Sequence, residues 1–499
     1  MCEKHIVIIG SGLGGLACGV ILAKNGYRVT IFEKESQAGG CLQCFKRDGV
    51  KFETGMHFVG SASQGQTLGK LMRYLGLDGR VRLSMLNQDG YDVISFRGQR
   101  YKFAMGREAF ISQMTEYFPF QRQNLKKYFD LVENVSRASS LHSLKYADTG
   151  GMINMEFQLR SIDEVIDSVV SDPLLAEVLV GTLPLYAAKK GKAPFSEHAF
   201  IMDFYNKSAY RFVGGCDVVA DVLVKVIEEL GGSVRLRSCV DKILCDDTHA
   251  VAIELKSGER ISCDYVISDA HPLRTLEMLN TSLIRPAFRR RVEAIPQTVG
   301  GFTVYLKYKP NAVPYMNYNF YGYNGDNIWG CENYDEATWP KGYLYMHFCH
   351  EPQPRFAESG VLLSYMNFAD VAQWKDSFVG HRGKEYELFK KEKAEQLIGA
   401  LQREFPNIRQ CIETYYTSTP LTYRDYTGTE DGSMYGIVKD INNISAYRIS
   451  HRTKIRNVLL TGQNINSHGM LGVLVGSIVT CGELLSSKLI FQQIMEANR

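Results

Sequence analysis

A glycine-rich fingerprint close to the start of the chain constrains the fold more than any later feature. His5-Ile-Val-Ile-Ile-Gly10-Ser-Gly12-Leu-Gly14-Gly15-Leu-Ala-Cys-Gly19 is followed by Tyr27-Arg-Val-Thr-Ile-Phe-Glu33. The apolar run Ile6 to Ile9 predicts a buried parallel strand, residues 14–25 a helix, and Arg28 to Phe32 a second strand. In that βαβ setting the glycines serve a tight turn, close backbone approach to a diphosphate, and helix-on-strand packing. The helix N-terminus offers amides and dipole to the phosphate charge. Gly10, Gly12, Leu13, Gly14 and Gly15 are therefore the expected diphosphate cradle. Glu33, followed by Lys34, is placed to receive a ribose diol. The glycine pair Gly39-Gly40 then lets the chain turn back along the diphosphate, a habit of FAD proteins more than of NAD domains.

Composition narrows the class. A chain of 499 residues is too long for a single core, so two interleaved or sequential domains are expected. The 57 basic and 54 acidic residues nearly cancel, which gives no footprint for nucleic acid. Twelve cysteines show neither zinc nor disulfide-scaffold spacing, so no metal is expected and reduced, cytoplasmic thiols are. No apolar run reaches the roughly 18 residues of a spanning helix, and the first strand leaves no room for a signal peptide. Peripheral contact with the inner face of a membrane stays open, because an apolar substrate has to be fetched from one.

The chain reads as segments that leave and rejoin the nucleotide domain. Phe110, Met114, Phe118 and Leu125, Phe129, Val132 recur at helical spacing within a stretch of about 105–205, the expected inserted cap. A helix from Val218 to Leu230 stops at Gly231-Gly232, and strands are expected at Ser233 to Leu236, Ala250 to Leu255, Arg260 to Cys263 and Asp264 to Ala270. Residues 275–430 alternate apolar and polar with dense aromatics, which predicts an antiparallel sheet. Val458 to Gly462 is a final strand and Gly472 opens a helix. Residues 1–75, 205–275 and 430–499 are thus assigned to a discontinuous nucleotide domain, and 76–204 and 276–429 to a substrate and cap domain.

The fingerprint, Ala38-Gly-Gly-Cys41, Phe52-Glu-Thr-Gly-Met-His57-Phe-Val-Gly60, the Gly214-Gly215 turn and Val266-Ile-Ser-Asp-Ala270 together resemble the carotenoid and retinoid FAD oxidoreductases. That family holds phytoene desaturases, carotenoid isomerases and retinol saturases. Pro420-Leu-Thr-Tyr, Gly432-Ser-Met-Tyr-Gly436 and Leu460-Thr-Gly-Gln-Asn464 are most similar to the saturase branch. The resemblance implies an α/β fold: a Rossmann-like FAD domain of the glutathione-reductase type, with an inserted α+β substrate domain of antiparallel sheet and helical cap. It implies FAD contacts from Gly39, Gly40, Cys41, Met56, His57, Val240, Ala270, Gly462, Gln463, Asn464, Met470, Leu471 and Gly472. Asn464 stands where the family usually carries an acidic residue.

The same resemblance implies hydride transfer between flavin and a carbon–carbon double bond of a lipophilic polyene, with reduction favoured. Desaturation or isomerisation by the same family, a flavin amine oxidase and a non-catalytic flavoprotein are the alternatives. An amine oxidase would need aromatic residues flanking the flavin and a lysine near N5. NAD(P)H, a ferredoxin or a quinone stay open as reductant, since no second fingerprint provides a dedicated domain. His57, Tyr435 and His468 are the candidate proton donors, with imidazole in a suitable titration range. Each has a plain alternative as a loop or pocket-wall residue. Cys41-Leu-Gln-Cys44 offers a redox dithiol, although disulfide reductases space such cysteines more widely. The aromatics of 302–348 are expected either to line an apolar tunnel or to form core.

Overall fold

The computed structural model describes residues 4–144, 155–279, 281–348, 351–352, 354–429 and 431–499. Strand His5–Ile9 pairs in parallel with Arg28–Phe32 on one side and Tyr265–Ser268 on the other. Ser233–Arg235 and Val458–Leu460 extend these outward into a five-stranded parallel sheet. A parallel sheet needs both faces covered. Helix Leu13–Lys24 does this on one face and, apolar all round, buries every residue but Lys24. Its neighbours are helices Asp217–Glu229 and Gly469–Leu485. Three separate stretches of chain thus build one nucleotide-type sheet. The strands at 28–32 and 250–255 have the bounds the sequence predicts. The helix after the final strand starts at Gly469, three residues before the expected Gly472, and a further helix, Ser487–Ala497, follows it.

A second sheet runs in the order Ile412–Ser418, Gly300–Tyr308, Ser359–Met366, Gly342–His347, Asn319–Tyr323, Asp92–Phe96, Gln99–Phe103. It is antiparallel except where Asn319–Tyr323 lies parallel to Asp92–Phe96. Its last two strands were not anticipated. They are joined by Arg97-Gly98 with φ of 51° and 76°, the left-handed pair of a tight hairpin turn.

Helices Arg107–Tyr117, Arg122–Ala138, Ile162–Val169 and Phe195–Lys207 pack on one face of this sheet in a shared core that buries Phe110, Met114, Leu125, Phe129 and Val132. Helix Lys384–Glu404 covers the other face against Phe302, Phe320, Tyr343 and Tyr345.

Two small β elements tie the sheets together. A hairpin pairs Cys44–Arg47 with Val50–Glu53. A three-stranded sheet puts Ala209–Phe212 between Val59–Gly60 and Leu83–Met85. Glu53, His57 and Arg211 are carried by these connections.

Candidate active site

One cavity of about 2320 Å³ follows the carboxyl ends of the parallel strands and continues beneath the second sheet. Every predicted cofactor and catalytic residue lines it except Gly15. A β-carbon on Gly15 would stand 2.2 Å from the Gly10 carbonyl oxygen, so this glycine seats the helix on the turn and does not face the cavity. The expectation that it contacts a ligand is corrected: it is a packing glycine.

At the fingerprint end the chain clears space around a carboxyl group. Added β-carbons at Gly12, Gly14 and Gly462 would lie 2.4, 2.5 and 2.5 Å from the Asp269 carboxylate oxygens. Burial raises the Asp269 carboxyl to about 7. Asp269 was quoted in the sequence only as part of a motif, and its contact with the glycine cradle emerges only in the fold.

Glu33 is buried and already fixed. Its Oε2 accepts from the amide and hydroxyl of Ser11 at 2.8 and 2.7 Å, and Oε1 accepts from the Glu35 amide at 2.9 Å. An ionised carboxylate has about four lone-pair sites, so capacity for a ribose hydroxyl remains. Lys34 lines the cavity and donates to the carbonyl of Asp425, which lines it too, at 2.9 Å. Asn464 leaves its buried Oδ1 without a partner. Met470, Leu471 and Gly472 lie in the first turn of helix Gly469–Leu485, with His468 as its N-cap.

The three expected acids look different in place. Burial, then the charge of Arg211, holds His57 down at about 3. It is a neutral imidazole at physiological pH, which corrects the expectation of a suitable titration range. Its Nδ1 lies 3.5 Å from Glu53 Oε2, and both atoms are buried without a hydrogen-bond partner. Burial, then Cys44, pushes the Glu53 carboxyl well above the ordinary range, with Arg211 pulling against them. The close approach is therefore not an ion pair.

His468 is likewise neutral, lowered to about 4 by burial, with Nε2 against the Leu185 carbonyl at 3.2 Å. Tyr435 spends its hydroxyl proton on the Pro184 carbonyl at 2.6 Å, and burial raises the phenol above its usual range. Both act as walls: their rings pack 4.9 Å apart between centroids.

Cys41 and Cys44 do not form a dithiol. Cys44 Sγ lies 3.9 Å from Cys216 Sγ, whereas Cys41 faces Gly55 and is pushed to about 11 by burial. Cys41 sits in the short helical turn Gly40–Leu42 and Cys44 opens the strand Cys44–Arg47, so the two cysteines of the motif meet different neighbours. Of the two readings for the aromatics of 302–348, core holds and tunnel lining does not. Only Tyr305 among them lines the cavity, because helices cover both faces of their sheet. The aromatic lining comes instead from Phe45, Phe58, Phe204, Tyr205, Tyr416 and Tyr423.

Comparison with known proteins accords with this layout. The model of the family described as flavin-containing amine oxidoreductase matches residues 13–478. The chain is 26% identical to the all-trans-retinol 13,14-reductase of Homo sapiens over 98% of its own length and 86% of that protein. It is 22% identical to prolycopene isomerase 2 of an Oncidium hybrid cultivar, covering 87% of this chain and 75% of that one. Among solved structures, cyclohexylamine oxidase from Brevibacterium oxydans superposes with a TM-score of 0.61 at 14% identity, over 99% of this chain and all of that one (100%).

Proposed function

Because the chain belongs to the flavin-containing amine oxidoreductase family, we propose that it reduces a carbon–carbon double bond in a conjugated, lipophilic polyene. Its cofactor is FAD. The residues present fit that group: the glycines at 12, 14 and 462 line the cavity with bare backbone closed around Asp269, and Asn464 offers an unpartnered buried oxygen. Asp269, raised to about 7, is a neighbour able to go neutral beside a diphosphate. We assign the dinucleotide contacts to the cavity-lining residues of the fingerprint, the 39–41 turn and the 462–472 segment, with 1–75, 205–275 and 430–499 as the FAD domain. When bound, the flavin supplies hydride chemistry, and the protein's part is to orient, to keep water out and to handle the proton.

The observation that carries this reading is similarity to a retinol reductase over nearly the whole chain. The cavity agrees in size. At about 2320 Å³ it exceeds the roughly 300–1,000 Å³ of an ordinary ligand cleft, leaving room for a second long ligand along Phe58, Phe204, Tyr205, Leu344 and Leu363. The test is anaerobic. Photoreduced holoenzyme mixed with all-trans-retinol is expected to regain oxidised-flavin absorbance and to yield a product two hydrogens heavier by mass spectrometry. No reoxidation by any polyene, together with reduction of the oxidised enzyme by a primary amine, would instead establish an amine oxidase. Lys439, which lines the cavity paired to Glu197 at 2.7 Å, would then be the lysine to examine.

A lipophilic substrate calls for access from a bilayer, and the cavity rim offers a face for it. Val379 and Tyr426 line the cavity yet are 56% and 50% exposed, and Phe378 and Leu388 beside them are 77% and 58% exposed. Among the described residues no helix is long and apolar enough to cross a membrane, so contact through this rim is peripheral. Burying a large apolar side chain is worth about 1.5–3 kcal/mol. The double change Phe378→Asp and Leu388→Asp is therefore expected to weaken binding to phosphatidylcholine vesicles at least tenfold in a flotation assay, with flavin content unchanged. Equal binding by the variant would remove the rim from this role.

A further inference from the structure

We infer that Glu53 is a proton store behind His57, and that the two side chains together deliver the proton half of the reduction through the imidazole. The inference rests on the polyene-reductase reading above. Its geometric basis is a set of neighbouring buried polar atoms that have no hydrogen-bond partner among the described residues. Glu53 ends the strand Val50–Glu53, and His57 lies four residues on, with Nδ1 and Oε2 3.5 Å apart. Neither atom has another hydrogen-bond partner. Beside them Arg211 is 1% exposed, and it donates only through one Nη, to the Tyr318 carbonyl at 3.0 Å. Its Nε and other Nη are buried and unpartnered. The Phe348 ring packs near both, its centroid 5.7 Å from the Arg211 guanidinium and 5.4 Å from that of the His57 ring.

A buried guanidinium without a carboxylate in contact is costly. The arrangement makes chemical sense if a negative charge forms nearby during turnover. His57 lines the cavity with Nδ1 turned to Glu53, which leaves Nε2 for a ligand. As the alkene carbon takes its proton, the N–H bond at Nε2 breaks and a C–H bond forms, while the O–H bond of Glu53 breaks and an N–H bond forms at Nδ1. The imidazole stays neutral and changes tautomer. The new Glu53 carboxylate is held in the field of Arg211. The site resets when Nε2 takes a proton from cavity water and Nδ1 returns its own to Glu53, so one solvent proton is consumed per turnover. The reduced flavin supplies the hydride.

This resolves the difficulty that His57 is far too weak a base to be imidazolium. A neutral imidazole backed by a carboxylic acid passes a proton without ever carrying charge. The separation of 3.5 Å sits at the edge of hydrogen-bond reach, as is usual for catalytic contacts before the substrate is bound. Besides His57 and Arg211, the charged and titratable groups around Glu53 are Cys44, Lys51 and Asp217. Lys51 is committed to Asp217 at 2.7 Å, whereas Arg211 has no ion-pair partner among the described residues, although its charge also reaches the buried Asp92.

His57 is the catalytic residue in this scheme, and Glu53 a positioning residue that acts through it. Glu53→Gln keeps the shape and a donor toward Nδ1 but cannot release a proton. In the holoenzyme at pH 7, the infrared difference between wild type and E53Q is expected to contain the carbonyl stretch of a protonated carboxylic acid. A carboxylate signature there overturns the proton store, and this measurement needs no substrate. With retinol as oxidant, E53Q is expected to reoxidise its flavin roughly 10²–10⁴-fold more slowly, and Glu53→Asp to recover part of the loss. Wild-type rates in E53Q would show a merely structural contact and overturn the relay. If wild type itself does not react with polyenes, the substrate reading fails while the infrared result still decides whether Glu53 holds a proton.

Discussion

Gly15→Ala is expected to purify without bound flavin and to unfold at lower temperature than wild type. The new β-carbon would meet the Gly10 carbonyl oxygen at 2.2 Å and the Asp269 β-carbon at 3.3 Å. The first of these is backbone in the tight turn, where Gly10 has φ of 93°. No rotamer can move it aside. Relief comes only by lifting helix Leu13–Lys24 off the sheet, and that helix is buried along almost its whole length between two others. Overpacking of a close-packed core costs about 1–3 kcal/mol. Flavin loss follows because the same shift moves the amides of the helix N-terminus away from the diphosphate. Gly399→Ala is the control. It lies within helix Lys384–Glu404, with nothing inside 4 Å of an added β-carbon. It should keep full flavin absorbance and gain about 0.5–1 kcal/mol. Retention of flavin by Gly15→Ala would mean that the turn tolerates displacement.

The contrast between these glycines shows how far the sequence could be read. The fingerprint was legible because strand, turn and helix are local and each residue type has a local reason. The strand at 28–32 and the helix behind the turn therefore fall where periodicity puts them. Glycine spacing alone could not separate Gly14, which faces the cavity, from Gly15, which faces the turn, because that depends on helix phase against a strand some 250 residues away in Asp269. The aromatic strands of 302–348 were recognisable as sheet. Which of their faces a helix would cover depended on segments from 105–207 and 384–404. The site was legible in membership and less so in chemistry. His57 was found as a cavity residue, but its charge state depends on burial and on Arg211, which arrives from residue 211 through a small sheet. An acidic residue type, Glu53, closing a strand next to a buried Phe52 was the available signal for the pair.

Stability of the fold is expected to fall steeply as pH drops from 6.5 toward 4, because burial has depressed many histidines at once. His57, His198 and His347 are held at about 3, and His142, His271 and His468 at about 4, burial being the main cause for each. In the unfolded chain they titrate near 6.5. Between these limits the unfolded state binds more protons than the native one, so acid favours unfolding. Hydrogen bonds reinforce the effect. His347 Nδ1 accepts the Met316 amide at 3.0 Å, and His198 is held between the hydroxyls of Tyr128 and Tyr186 at 2.7 and 2.9 Å. The His347 ring has no place for a second proton, because Nδ1 faces a backbone N–H.

Three carboxyls work in the opposite sense. Glu53 is raised well above its usual value, and Asp92 and Asp269 are raised to about 7, so each retains a proton in the fold that the unfolded chain has lost. Their contribution is full at low pH and is lost as pH rises through their folded values. Six histidines against three carboxyls leave a net uptake on unfolding of about three protons in this window, or up to ~4 kcal/mol per pH unit. Against a total stability of 5–15 kcal/mol for an ordinary domain, two pH units are enough to matter. The midpoint temperature is therefore expected to stay nearly level around pH 7, where Asp92 and Asp269 offset the histidines, and to drop from pH 6 to pH 4, with His198→Gln flattening that slope by about one proton. A midpoint that stays level or rises over that lower range would mean that the buried carboxyls, and not the histidines, govern the acid response.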